Sequence, residues 1–416
     1  MHPAATKPAA QQQRGSAFEV LRIFFRLGLT SFGGPVAHLG YYRAEFVERR
    51  CWLDESHFAD IVALCQFLPG PASSQVAITI GILRAGLPGA FAAWLGFTAP
   101  SAVAMIVFGY GVAAFGNLAH AAWLHGLKIV AVAVVANAVW GMARNLCPDR
   151  PRATIAVGAA ILALAAPSSA GQIGAIAAGG LIGWALLRDD WPPGSPAAAE
   201  SAPLAIRLPR ALSLAAAVAF VVLLIGLPVL AAAAHSHALA LFAAFYRSGA
   251  LVFGGGHVVL PLLQAAVVPP GWVGNNAFLA GYGAAQAVPG PLFTFAAYLG
   301  TVMGQAPNGW LGGLLCLVAI FLPSFLLLIA MLPFWDGLRH RQGVRSALRG
   351  VNAAVVGVLL AALYRPVWTS AILGPADFAI AIAAFLLLAL WRAPPWLVVM
   401  LGALVATMVA WLPGSG

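Results

Sequence analysis

The chain has 416 residues, of which 62% are hydrophobic and only 8% are charged, and its mean hydropathy is +0.90. A soluble domain is about a quarter charged, so this composition excludes a soluble enzyme, a disordered chain and a nucleic-acid-binding protein. It predicts an all-α protein that crosses a membrane many times. The excess of 22 basic over 12 acidic residues fits that class, because Lys and Arg collect in the cytoplasmic loops of membrane proteins.

Neither a disulfide, a metal site nor a cofactor is expected. The four cysteines stand far apart and form no CxxC pair, so their spacing matches neither a disulfide framework nor a zinc site. Residues 1–17 are polar. They are predicted to form a disordered tail and not a signal peptide.

Thirteen stretches are apolar enough to be membrane helices or parts of them, since a full span needs about 20 residues. They cover residues 18–38, 57–84, 87–115, 119–143, 152–167, 170–188, 211–234, 238–262, 276–303, 308–334, 346–365, 372–391 and 394–412. The proline-rich stretch 189–210 is predicted to be a cytoplasmic linker. It is followed by a connecting transmembrane helix over 211–234.

The distribution of basic residues predicts the orientation of the chain. If the N-terminus is cytoplasmic and all thirteen elements cross, 14 basic residues lie in cytoplasmic segments and 4 in periplasmic ones. This bias predicts a cytoplasmic N-terminus and a periplasmic C-terminus. Arg43, Arg49 and Arg50 are exceptions in a loop that also carries four acidic residues. An interfacial helix in that loop would change the count.

The second half of the chain repeats the first at an offset of 220 to 224 residues, so 18–188 and 238–412 are predicted to be two repeats. Seven predicted elements separate the two repeat starts, and an odd number inverts the second copy. The matching pairs are Phe32-Gly33-Gly34 with Phe253-Gly254-Gly255, Pro69-Gly70-Pro71 with Pro289-Gly290-Pro291, Gln66 with Gln286, and Arg26 with Arg247.

The two Pro-Gly-Pro motifs are predicted to break their helices in mid-membrane. Proline cannot continue a helix but fits the first turn of the next one. The new N-terminus offers unpaired N–H groups to an anion, and Ser73 and Ser74 would add donors. A simple kink for packing is the alternative. For the Phe-Gly-Gly motifs the alternative is tight helix packing, and Gln66 and Gln286 would either stabilise the breaks or contact substrate.

Arg26 and Arg247 are predicted to contact the anion, because each lies inside an apolar element and arginine matches the geometry of an oxyanion. The alternative is that each side chain extends to the membrane interface. Asp60, His38 and His257 are candidates for proton coupling. Alternatively, the Asp60 carboxylate stabilises the start of a helix, and each histidine makes only a polar contact.

These motifs resemble those of the chromate ion transporter family in its long, two-domain form. The resemblance rests on Leu29–Pro35 (LTSFGGP) and Leu64–Gln75 (LCQFLPGPASSQ), and in the second half on Phe253–His257 and Val288–Pro291. It implies a bacterial inner-membrane protein that exports chromate, confers resistance to it and uses an ion gradient, with protons as the expected ion. It also implies kinship with proteins that handle sulfate.

We therefore predict a secondary active transporter with alternating access between two inverted halves. The anion would lie between the Pro-Gly-Pro turns. One alternative is a transporter of sulfate or another oxyanion. Another is a membrane-embedded enzyme or lipid-handling protein, but the apolar elements show no pairing of a nucleophile with a base. A purely structural membrane protein would not explain matched arginines in broken helices.

Overall fold

The computed structural model describes residues 15–114, 122–187, 208–253, 256–338 and 341–410. Within these ranges every regular element is a helix, as the composition predicts. Most of the predicted tail (1–17) and of the predicted linker (189–210) lies outside the described residues.

The helices of the first half and the connecting helix have the following bounds. They are α1 (Ala17–Thr30), α2 (Gly34–Tyr42), α3 (Glu55–Phe67), α4 (Ala72–Ala114), α5 (Ala122–Leu146), α6 (Arg150–Ala165), α7 (Ser169–Leu186) and α8 (Arg210–Ala234). A π-helical turn, Arg43–Arg49, extends α2.

The described part of the second half contains ten helices. They are α9 (His237–Ala250), α10 (Val259–Val267), α11 (Asn275–Ala285), α12 (Phe295–Val302), α13 (Gly309–Met331), α14 (Trp335–Leu338), α15 (Gln342–Ala362), α16 (Thr369–Ala371), α17 (Pro375–Ala389) and α18 (Pro395–Ala410). The 3-10 turns Gly256–Val258 and Leu292–Thr294 precede α10 and α12, and the π-helical stretch Leu363–Trp368 follows α15.

Among the described residues, five segments are long and apolar enough to cross a membrane, and they make this a multi-pass membrane protein. They are Ala72–Ala114, Ala122–Leu146, Arg210–Ala234, Gly309–Phe334 and Gln342–Ala371. The other apolar helices are shorter than the roughly 20 residues that a span needs.

Helix α4 is two helices joined at a sharp turn. Ala85 and Gly86 have non-helical backbone angles, and Gly86 has φ +66°. The chain doubles back there so closely that a Cβ on Gly81 would lie 2.3 Å from the carbonyl oxygen of Gly89. We call residues 72–84 α4a and residues 87–114 α4b.

The first four short helices form two hairpins that enter and leave at the same end of the bundle. The Gly15 N–H donates to the Arg84 carbonyl (3.0 Å). The Arg84 guanidinium pairs with Glu19 (3.2 Å) and stacks on the Trp52 ring at 4.5 Å. We call α1 and α2 hairpin 1, and α3 and α4a hairpin 2.

This arrangement corrects the assumption that 18–38 and 57–84 each cross the membrane. A crossing over 18–38 would place Trp52 at the opposite end from Glu19, but both contact Arg84. The physical reason is length, since α1 has 14 residues and α3 has 13, and each hairpin turns back at a glycine.

The charged loop between the hairpins is held by its own ion pairs. Arg43 pairs with Glu48 and Glu55, and Glu45 pairs with Arg49 (3.1 Å) and Arg50 (2.7 Å). These pairs balance charge at the same end as Arg84, so the loop belongs to a structural network.

Asp54, also in this loop, begins α3. The backbone N–H of His57 donates to its carboxylate (2.8 Å), and this bond lowers the pKa of Asp54 below its usual range.

The second half forms two matching hairpins. The His237 ring packs edge-on against Trp272 (5.1 Å), which brings the start of α9 to the end of α10. The Tyr298 hydroxyl donates to the Ala277 carbonyl (2.8 Å), which brings the end of α12 to the start of α11. We call α9 and α10 hairpin 3, and α11 and α12 hairpin 4.

These two hairpins enter from the opposite end of the bundle. Helix α4b starts beside Arg84 and runs to Tyr110, whose hydroxyl accepts the Trp310 N–H at the start of α13 (2.8 Å). Hairpin 4 ends beside that start, because a Cβ on Gly300 would lie 2.1 Å from the Gly312 carbonyl oxygen. Two hairpins therefore reach inward from each end.

Each half also packs its long helix against the last two helices of the other half. Gly350 on α15 contacts Gly179 and Gly183 on α7, and Gly126 on α5 contacts Gly402 on α18. A Cβ at Gly350 would lie 2.1 Å from the Gly179 carbonyl oxygen. These glycines let the two backbones touch, so neither half encloses its own core.

We predict that Cys51 and a cysteine at position 305 face opposite sides of the membrane. Cys51 is exposed beside hairpin 1, and Gln305 is exposed between α12 and α13. The measurement is labelling of Cys51 and of a Gln305→Cys variant by a membrane-impermeant maleimide in vesicles of each orientation. A Cys147→Ala, Cys51→Ala background isolates position 305, because Cys65 and Cys316 are buried. Labelling of both sites from the same side would contradict the hairpins.

Candidate functional site

The helices break at the motifs where the sequence predicts breaks. Gly33, Gly34, Gly70 and Gly290 have φ values of +101°, +76°, +126° and +92°. Residues with a Cβ avoid this region, so glycine is needed at each turn. Gly254 and Gly255, the second-half equivalents of Gly33 and Gly34, lie outside the described residues.

The tips of hairpins from opposite ends are hydrogen-bonded to each other. The Gly290 N–H at the tip of hairpin 4 donates to the Ser31 carbonyl at the tip of hairpin 1 (2.9 Å). The Gly70 N–H at the tip of hairpin 2 donates to the Val252 carbonyl at the tip of hairpin 3 (2.7 Å). Each Pro-Gly-Pro turn thus bonds the residue two positions before the first glycine of a Phe-Gly-Gly motif in the other half.

Each Pro-Gly-Pro turn also fits against a serine of the other half. A Cβ on Gly70 would lie 2.6 Å from the Ser324 hydroxyl oxygen, and a Cβ on Gly290 would lie 2.8 Å from that of Ser101. Because of these contacts, a larger residue at either glycine would push the two halves apart.

A cavity of about 100 Å³ lies where hairpins 1 and 4 meet. Its walls combine a helix start, three polar side chains and otherwise apolar groups. The backbone of hairpin 1 contributes Gly33, Gly34 and Pro35, and the polar side chains are Asn137 on α5, His257 before α10 and Gln286 after α11.

The polar groups around this cavity are suited to donate hydrogen bonds. His257 Nδ1 and the Tyr282 hydroxyl are 2.9 Å apart; with Nδ1 as acceptor, the neutral ring carries its proton on Nε2. The Gln286 Nε2 atom is buried and has no partner among the described residues. Helix α2 begins at Gly34, so its first N–H groups lack helical partners. This combination of neutral donors is suited to an oxyanion.

A second set of buried polar groups surrounds the tip of hairpin 2. His38 Nδ1 lies 3.2 Å from the Ser73 hydroxyl, and Gln75 Nε2 donates to the Pro69 carbonyl (2.7 Å). The Ser74 hydroxyl and His38 Nε2 are buried without a partner among the described residues. Since buried polar atoms are nearly always paired, these two unpaired groups mark the tip of hairpin 2 as a second polar region of the protein interior.

The structure separates the two predicted arginines from this cavity. Arg26 is exposed on α1, about two turns before Gly33. Arg247 is partly buried beside Ile173 and Leu262. Neither side chain borders the cavity.

Gln66 and Asp60 also lie away from the cavity. Gln66 is exposed near the end of α3, whereas its repeat equivalent Gln286 lines the cavity. Asp60 is partly buried on α3, about one turn after the charged loop. The two halves therefore do not contribute equally.

Asn137 is the cavity residue that the sequence analysis missed. It has no polar equivalent in the second repeat, where an offset of 224 leads to Ala361. A search guided by repeats could not find it. The available signal was an amide side chain in the apolar middle of α5, well before the polar end of the helix that carries Asn145.

Comparison with known proteins shows that the chain belongs to the chromate transporter family. The family's sequence profile matches residues 18–184 and 239–407, which confirms the resemblance of both halves. The chain resembles members of this family that are named as transport proteins. This confirms the prediction that the protein is a transporter and not an enzyme. No solved structure matches the chain.

Three relatives illustrate the similarity. A chromate transport protein of Pseudomonas aeruginosa is 29% identical over 81% of this chain and 77% of its own length. An uncharacterized transporter of Methanocaldococcus jannaschii is 26% identical over 88% of this chain and 89% of its own. A chromate transport protein of Cupriavidus metallidurans is 24% identical over 83% and 81%.

Proposed function

We propose that this protein is a secondary active transporter that exports chromate across the bacterial inner membrane and so confers resistance to it. The observation that carries the proposal is the cavity of neutral donors where hairpins from opposite ends meet. A cavity at this position can open to either side of the membrane after a small movement of one hairpin tip. The names of the relatives in Pseudomonas and Cupriavidus support chromate as the anion.

The two halves are proposed to be inverted repeats. Each hairpin returns to the end from which it started, and so do α6 and α7 together, because Asp149 before α6 and Leu187 after α7 both lie near Arg349. Only α4b, α5 and α8 therefore cross singly between the starts of the two halves. Three crossings, like the seven of the sequence analysis, are an odd number and invert the second half. The reciprocal bonds Gly70–Val252 and Gly290–Ser31 support this reading.

The end that carries Arg84 is proposed to be cytoplasmic. With Arg43, Arg49 and Arg50 at that end, 17 basic residues fall on this face by sequence position, and Arg365 and Lys128 fall on the other. This bias exceeds the one obtained from full crossings, and basic residues mark the cytoplasmic face. The N-terminal part is then cytoplasmic and the end of α18 periplasmic.

Alternating access would arise from movement of the hairpin tips. The dianion is held in the cavity by the amides of Asn137 and Gln286 and by the start of α2. No lysine or arginine side chain of the described ranges borders the cavity. Neutral donors allow release, because no ion pair has to be broken in mid-membrane. An inside-negative potential assists export by about 2.3 kcal/mol per charge per 100 mV.

Sulfate is the second candidate substrate, since a cavity of neutral donors discriminates by shape and charge, and sulfate is also a tetrahedral dianion. The test of function is uptake of labelled chromate into everted vesicles, with and without a proton gradient and with sulfate as competitor. Gradient-dependent accumulation that excess sulfate inhibits weakly is the expected result. Absence of accumulation, or complete inhibition by modest sulfate, would transfer the function to sulfate or another anion.

Asn137→Ala is expected to reduce chromate transport about tenfold or more, because a hydrogen bond to a charged group contributes about 1.5–3 kcal/mol. The matched control is Asn145→Ala, which removes an exposed amide from the same helix. The measurement is initial uptake rate at equal protein content in vesicles. Equal rates for the two variants would remove Asn137 from the site.

Arg26 and Arg247 are proposed to contribute unequally. Arg26, exposed on α1, attracts the dianion on its way to the cavity from the cytoplasmic side, and this attraction is screened by salt. Arg26→Ala is therefore expected to raise KM and weaken the salt dependence of uptake, with a smaller effect from Arg247→Ala. Normal kinetics in the double variant would exclude both arginines.

A further inference from the structure

A cluster of ionisable side chains lies at the end of the bundle opposite Arg84, away from the cavity. His125 Nε2 on α5 lies 2.9 Å from the Asp377 carboxylate on α17. One turn further along α5, Lys128 Nζ donates to the Asn276 side-chain oxygen (3.2 Å). The other carboxylate oxygen of Asp377 accepts the Leu373 N–H (2.9 Å). We call His125, Lys128, Asn276 and Asp377 the outer cluster.

We propose that the outer cluster binds the coupling proton of transport, with His125 as the acceptor and Asp377 as its partner. The proposal rests on the proposed function, which requires an ion gradient, and it names the residues that respond to it. The predicted proton-coupling candidates His38 and His257 contact Ser73 and Tyr282, whereas His125 contacts a carboxylate.

The cluster joins the parts of the molecule that would have to move. Helix α5 belongs to the first half, and α17 and hairpin 4 belong to the second. Asn276 lies at the start of hairpin 4, whose tip carries Gln286 and Gly290 to the cavity. A change of charge in the cluster therefore acts on the outer end of the hairpin that lines the anion site.

The matching position at the other end of the bundle cannot respond in this way. The offset of 224 residues that pairs Gly126 with Gly350 also pairs His125 with Arg349. Arg349 donates to the Leu187 carbonyl (3.0 Å), and the guanidinium stays protonated at any physiological pH. Nearby, the bond from Arg152 holds the pKa of Asp149 below its usual range, and Arg349 adds to the effect.

Proton uptake changes the charge of the outer cluster by one. With a neutral imidazole, the Nε2–H donates to Asp377, and Lys128 and Asp377 balance each other. A proton taken up at His125 Nδ1 gives an imidazolium, so one carboxylate then faces two cations. Histidine can hold this second proton because both ring nitrogens are donors in its cationic form. Asp377 then attracts His125 as well as Lys128. Lys128 is therefore held less strongly towards α17, and its contact with Asn276 is loosened.

Water can reach the cluster from the outer side. The His125 side chain is 26% exposed and that of Asp377 is 16% exposed, while Lys128 is 8% exposed. The other charged groups on the elements packed around this end do not contact the pair among the described residues. Tyr364 and Arg365 are exposed, Tyr282 bonds His257, α16 and α18 carry no ionisable group, and Arg345 and Arg349 lie near the start of α15 at the far end.

The test uses the purified full chain in proteoliposomes and two measurements of labelled chromate. The first is net uptake driven by an imposed pH gradient. The second is exchange against internal chromate at equal pH, which moves no net proton. His125→Gln and Asp377→Asn are expected to lose the stimulation by the gradient and to keep wild-type exchange. His235→Gln is the matched control, since His235 is an exposed histidine at the same end, and Asp377→Glu is expected to retain coupling.

Three results would overturn the proposal. If both variants respond to the gradient as the wild type does, the cluster binds no coupling proton. If both lose exchange together with net uptake, the cluster is a structural clamp. A wild-type protein that exchanges chromate but ignores the pH gradient also overturns the proton site and leaves the proposed function intact. A wild-type protein without exchange refutes the proposed function itself.

Discussion

The structure depends on one constraint, which is that a broken helix at membrane depth must find partners for its backbone groups. Water is absent there, and each unpaired N–H costs several kcal/mol. The protein meets this constraint by joining breaks from opposite ends, through the bonds from Gly290 to Ser31 and from Gly70 to Val252. The short hairpins, their glycine turns and the exchange of contacts between halves all follow from that pairing.

The same pairing creates a polar cavity, the proposed anion site, which neither half alone could form. The cavity takes a helix start from hairpin 1, an amide from α5 and the Gln286 side chain from hairpin 4. Since every tip is bonded to the other half, a movement of one hairpin is transmitted to its partner. The two repeats do not match at every position. Asn137 has no polar equivalent in the second half, and His125 corresponds to Arg349. Under the proposed function, the anion would therefore be bound at one place and the coupling proton at one end of the bundle only.

Local sequence signals identified the breaks well and the crossings poorly. Proline and glycine act on their own backbone, so the turns at Gly33, Gly70 and Gly290 could be predicted from sequence. Whether 18–38 and 57–84 cross or fold back is a matter of which ends meet, and the contacts of Arg84 with Glu19 and Trp52 join residues up to 65 positions apart. The charged loop was recognised as an exception to the distribution of basic residues. The hairpins explain the exception, because they place this loop at the same end of the bundle as Arg84.

The sequence by itself determined the class of protein, its two repeats, the places where its helices break and its family. These properties reside in composition, in spacing and in the backbone preferences of proline and glycine. Only the tertiary structure decided that the breaks of the two halves meet, that Asn137 and not Arg26 lines the cavity, and that His125 lies against Asp377. The physical reason is that such contacts depend on how helices from distant parts of the chain pack, and a repeat search can find only residues that have a copy.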